Sequence, residues 1–225
     1  TGTAVMNPPS EKQTFSYSTP VIISTGGVKL AGTLSLPAGV KSVVLFAHGS
    51  GSARLSPRNI FVAGVLHASR IGSLLMDLLT PAEDSNYQAR FDIPLLTSRL
   101  IGASYWLETA ERTFGLRLGY FGAGTGAAAA LRAASQFGGE IGAVVSRSGR
   151  PDLAGEEVLP TVRAPTLLIV GGLDAEVIEL NNTAYALLTS KKQLSIVPGA
   201  THLFEEPGTL DAVAGQASEW FKNHL

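Results

Sequence analysis

The sequence predicts an α/β protein, a mostly parallel sheet with helices on both faces, entered through an N-terminal antiparallel hairpin. Three observations predict it. Apolar strand-like runs alternate with segments of helical period from Pro37 to the end of the chain. The runs are continuous, as in "SVVLFAHG" (42–49), which is the mark of strands covered on both faces. Ahead of them, "VIISTGGVKLAGTLSLP" (21–37) sets two β-rich runs around Gly26-Gly27, a two-residue hairpin signal.

The elements follow in order. Residues 1–12 read as a flexible leader and 13–225 as a single domain. After the hairpin and the strand at 42–49, "RNIFVAGVLHASR" (58–70) has helical period, with Ile60, Val62, Val65 and Leu66 near one stripe. "GSLLMDLL" (72–79) is the next strand, 81–90 a polar loop and 91–113 a long helix whose first turn tolerates Pro94. Then come a strand at 116–121, a helix from Thr125 and a strand at 141–149. After a short linker come a strand at 166–172, a helix near 176–190, a strand at 193–199 and a helix at 208–224. Only about 16 residues join the strands at 149 and 166, too few for a large lid, so an open, shallow site is expected.

Composition narrows the function. The 225 residues carry 17 basic and 18 acidic side chains, a balance without the basic stripe of a nucleic-acid binder. With no cysteine, disulfides, thiolate metal sites and a Cys nucleophile are excluded. No metal-spaced ligand set and no cofactor signature stands out. No apolar run reaches the ~20 residues of a membrane helix. The first residues lack a basic and then apolar leader, so a cytoplasmic location is expected. Room is left for a homo-oligomer.

Ligands on such sheets sit at the carboxyl ends of the strands. Those ends read "HGSGS" (48–52), Asp77, "GAGTG" (122–126), "SRSGR" (146–150), "GGLD" (171–174) and "GATH" (199–202). Three glycines in five residues at a strand-to-helix corner serve either a phosphate or a nucleophile. The order glycine turn, Asp174, His202 is that of a nucleophile elbow with its acid and its base. An acyl-transfer site needs an activated oxygen, a base and a group that orients the base.

Residues from about 20 to 225 resemble an α/β-hydrolase of the dienelactone-hydrolase-like group. "HGSGS" is similar to the oxyanion loop, "GAGTG" to the elbow, "GGLD" to the acid turn and "GATH" to the histidine loop. The resemblance implies an α/β-hydrolase fold and a Ser-His-Asp mechanism on small carboxylic esters or lactones. His202 would be the base, Asp174 its orienter, and the N–H groups of Ser50 and Thr125 the oxyanion hole. His48, Gly49, Arg54 and Arg147 are candidate substrate contacts. The departure is at the elbow apex, where Gly124 stands in place of the expected serine. The intact remainder of the machinery favours a deliberate substitution and a largely inactive variant. Two alternatives stay open: a natural non-catalytic protein binding a small ligand in the same pocket, and a dinucleotide binder using Gly122, Gly124 and Ala127 as G-x-G-x-x-A. The latter lacks the acid expected about 20 residues on.

Overall fold

The computed structural model describes residues 17–49 and 53–225; the leader assigned to 1–12 lies outside the described residues. Eight strands form one sheet: β1 (Tyr17–Thr25), β2 (Val28–Leu36), β3 (Ser42–His48), β4 (Ile71–Met76), β5 (Arg117–Ala123), β6 (Ile141–Arg147), β7 (Thr166–Gly171) and β8 (Lys192–Val197), in the order β1-β2-β4-β3-β5-β6-β7-β8. β1 pairs antiparallel with β2, and β2 with β4; every other pairing is parallel. Gly26 and Gly27 turn the hairpin with φ of 57° and 77°, the two positive values a type I′ turn demands.

Among the described residues there are six helices: α1 (Pro57–Ala68), α2 (Pro81–Asp84), α3 (Ile93–Thr109), α4 (Thr125–Phe137), α5 (Ala175–Leu187) and α6 (Thr209–His224). The core divides by face. Leu45, Tyr120, Val144 and Leu168 pack with residues of α3, α4 and α5; Phe46, Phe121, Val145 and Ile169 pack with α1 and α6. Strand alternation produces this split, because successive side chains point to opposite faces.

Local chemistry departs from the sequence reading in three places. The long helix starts at Ile93 rather than 91, because Asp92 caps it, accepting from the Leu95 N–H at 3.1 Å. The polar loop at 81–90 contains α2, fixed by a capping box between Thr80 and Glu83, and then a 3₁₀ turn over Tyr87–Phe91. In α1 the buried side is Asn59, Val62, Ala63 and Leu66, while Ile60, placed on the buried stripe by its spacing, is 50% exposed. The true stripe lies one position away from Ile60.

The corner between β5 and α4 is tightly packed. A Cβ on Gly122 would sit 2.6 Å from Ala127 Cα, and one on Gly126 would overlap the Ala47 carbonyl oxygen of β3. Both glycines let α4 lie against the sheet, as do the small residues Ala127–Ala130, all fully buried.

Candidate active site

Gly124 joins β5 to α4 with φ 56° and ψ −130°, a region that side-chain residues rarely adopt. Its carbonyl accepts from Arg150 N–H at 3.0 Å and Ala127 N–H at 3.2 Å, so the corner is held from two sides. A Cβ built on Gly124 meets nothing within 4 Å. The conformation costs a side-chain residue about 1–3 kcal/mol, partly offset by the unfolded-state freedom glycine loses. Gly124→Ser is therefore expected to lower stability by ~1 kcal/mol and the melting midpoint by roughly 2–4 °C. Paired thermal melts in one buffer check this; a variant that melts higher would show an unstrained position.

The acid and the histidine come from neighbouring strand ends. Asp174 follows β7 at the head of α5, yet its side chain makes no capping bond. It lies 2.5 Å from Nδ1 of His202, in the loop after β8. An ionised carboxylate only accepts, so Nδ1 is the donor in this contact, and in the neutral imidazole Nε2 is then a lone-pair acceptor. Two contacts hold the histidine loop. Ser148, buried and at φ 45°, donates its hydroxyl to the His202 carbonyl at 2.7 Å. Glu206 accepts from the Thr201 N–H at 3.1 Å and from its hydroxyl.

A cleft of about 460 Å³ is lined by His48, Gly49, Gly124, Thr125 and His202 together with Tyr87, Phe91, Val177 and Leu180. Thr125 is the first residue of α4, so its N–H has no intrahelical acceptor. Its hydroxyl is committed elsewhere, donating to the Arg90 carbonyl at 2.8 Å, and it lies where a Cβ of Gly49 would go. Gly49 is thus required by close approach.

Other sequence candidates lie elsewhere. Arg54 does not line the cleft; its Nε pairs with Asp77 at 3.0 Å, and its N–H binds the same carboxylate. Arg147 is 4% exposed and also does not line the cleft. Ser50 lies outside the described residues. Conversely, Tyr87, Arg90, Phe91, Arg150, Glu176, Val177 and Leu180 line the cleft and were not assigned from sequence. The short β6–β7 connection folds into two 3₁₀ turns (Pro151–Ala154 and Leu159–Thr161) and carries no lid. The wall comes instead from the β4–α3 connection, where Tyr87 and Phe91 meet edge to face at 5.2 Å.

His48 is held neutral. Burial first, and then the charges of Arg147, Arg58 and Arg90, push its pKa from 6.5 down to about 4. Across that window the unfolded chain binds a proton the native state refuses, so stability falls as pH drops below 6.5. Between pH 7 and pH 4.5 the loss is about 2 kcal/mol from this group. Urea unfolding at both pH values should show the parent losing that much more than His48→Asn; equal losses would contradict it.

No protein-family model matches the chain. The crystal structure of dienelactone hydrolase from Anabaena variabilis superposes with a TM-score of 0.90 at 53% identity, covering 93% of this chain and 99% of that one. The chain belongs to the dienelactone hydrolase family of α/β-hydrolases. Its fold is also similar to that of Est1E from Butyrivibrio proteoclasticus (TM-score 0.77, 14% identity, 91% of this chain and 98% of that one). Two strains of Mycobacterium tuberculosis have a protein provisionally named a phosphoribosyl transferase, 55% identical over 205 residues. That match covers 91% of this chain but 46% of theirs, so the chain spans about half the length of these curated relatives. Among the described residues no helix is long and apolar enough to cross a membrane, and no group of three or more His, Cys, Asp or Glu could hold a metal.

Proposed function

We propose that this dienelactone hydrolase family member is a Ser-His-Asp type hydrolase of small carboxylic esters or lactones whose nucleophile position is occupied by Gly124. One observation carries the reading. A residue in elbow conformation, at φ 56° and ψ −130°, shares a cleft with a histidine whose Nδ1 is 2.5 Å from a carboxylate. The substrate carbonyl would lie over Gly124 with its oxygen toward the Thr125 N–H. In serine's absence a water can occupy the space beside Gly124. His202 Nε2 takes that water's proton, the hydroxide adds to the carbonyl carbon, and the collapsing tetrahedral species expels the alcohol, which receives the proton back from His202. No covalent intermediate forms.

Slow, burst-free hydrolysis of short-acyl nitrophenyl esters is therefore expected, and His202→Ala should abolish it. An unchanged rate in His202→Ala would assign the hydrolysis to background and remove the histidine from the account.

The absent hydroxyl favours one rival, a non-catalytic protein that binds a small ligand in the same cleft. The dinucleotide reading is weaker, because β6 ends on buried Arg147 where an acid would be needed to hold a ribose. The transferase name of the mycobacterial relatives belongs to chains about twice this length, and no transferase step is assigned to this portion.

A further inference from the structure

Arg147 stands out among the buried charges. Arg99, 5% exposed, is neutralised by Glu83 at 2.7 Å, and Arg54, Arg90 and Arg150 each face an aspartate within 3.0 Å. Arg147, 4% exposed, has no carboxylate partner among the described residues, and its Nε has no hydrogen-bond partner. The charged group acting on it is a second cation, Arg58, whose Nε is likewise buried and unpartnered. Leaving a cation unpaired in the interior costs several kcal/mol, so its retention calls for a compensating role.

Its register supplies one. His48 of β3 pairs with Ala123 of β5, and Ala123 with Arg147 of β6. The three form one row across the sheet, about 5 Å apart per step, directly before Gly124. By strand alternation they share the face of Phe46, Phe121 and Val145, turned toward α1 and α6. Arg147 does not line the cleft; one strand spacing and the length of its side chain put the guanidinium on the order of 10 Å from where a carbonyl oxygen would gain charge. Burial and then the Arg58 charge draw its pKa down only to about 10, so the cation persists at neutral pH.

Resting on the hydrolase reading above, we infer that Arg147 is a positioning residue: an uncompensated buried cation whose field favours the oxyanion forming beside Thr125. It touches neither substrate nor His202. A unit charge at that range through protein-like dielectric changes a rate by on the order of tenfold. Because the ground-state ester is neutral, the effect belongs to kcat and leaves KM nearly unchanged.

The test uses Gly124→Ser as reference. In that background Arg147→Met should lower kcat about tenfold with KM within twofold, and Arg147→Lys, which keeps a cation, should recover most of the loss. A folded Arg147→Met with unchanged kcat overturns the proposal, and so does an Arg147→Lys as slow as Arg147→Met. If Arg147→Met does not fold, Arg58→Met at the less buried member of the pair decides it: a kcat drop of about threefold supports the field, and an unchanged kcat overturns it. A soluble, folded Gly124→Ser inert toward all esters instead sinks the hydrolase reading itself, and the proposal with it.

Discussion

Gly124→Ser should raise kcat for small esters by a factor on the order of 10⁴–10⁶. The estimate follows from what the site already holds. His202 is oriented by Asp174 at 2.5 Å, its Nε2 is available as an acceptor, and the Thr125 N–H lies at the head of α4 where an oxyanion would form. On the proposed reading only the nucleophile is missing, and triad members act as a unit, so supplying the last one should recover most of the loss. A side chain also has room, since nothing lies within 4 Å of a Cβ at position 124. The φ of 56° that strains such a side chain is the same feature that would lift its hydroxyl into the cleft. Stopped-flow kinetics on an activated ester should show a burst in the variant and none in the parent. A folded variant with neither burst nor faster turnover would mean that the corner resembles an elbow without serving as one.

The second large effect is the loss of that gain when the histidine–aspartate pair is broken. In the Gly124→Ser background, Asp174→Asn should lower kcat by about 10⁴, because the amide NH2 can donate to Nδ1 and so favour the tautomer whose Nε2 carries the proton and cannot act as a base. His202→Ala should cost as much or more. The His202 side chain is 51% exposed, and although the Asp174 side chain is only 15% exposed, the Asn substitution preserves its shape. Fold stability should change little, which circular dichroism would verify alongside the kinetics. An Asp174→Asn variant with kcat within tenfold of its reference would assign the carboxylate to structure rather than catalysis.

Much of this site was legible in the sequence because strand ends are. Continuous apolar runs locate β3, β5, β6 and β7, and the polar or glycine-rich residues directly after them must then fall on one edge of a parallel sheet. That logic placed His48, Gly124, Asp174 and His202 together before any coordinate. What it missed depends on geometry without periodicity. The Tyr87–Phe91 turn reads as polar loop, and nothing in its spacing announces two aromatic rings meeting over a cleft. Arg54 comes six residues after β3 and Arg147 ends β6, yet one is neutralised by Asp77 from β4's end and the other is buried without a carboxylate partner. Arg54 meets Asp77 from the turn before α1, whereas the charge acting on Arg147 is Arg58 of α1, and neither pairing follows from chain order. Arg150 was visible in "SRSGR", but its N–H bond to the Gly124 carbonyl exists only once β6 lies beside β5.

The most direct test of the central claim, an elbow and its partners intact around a missing nucleophile, is intact-mass spectrometry after treatment with a fluorophosphonate. The account predicts no adduct on the parent and one adduct on Gly124→Ser, mapped to position 124 and lost when His202→Ala is added. Labelling of the parent at another serine, Ser148 included, or no labelling of a folded Gly124→Ser, would contradict it.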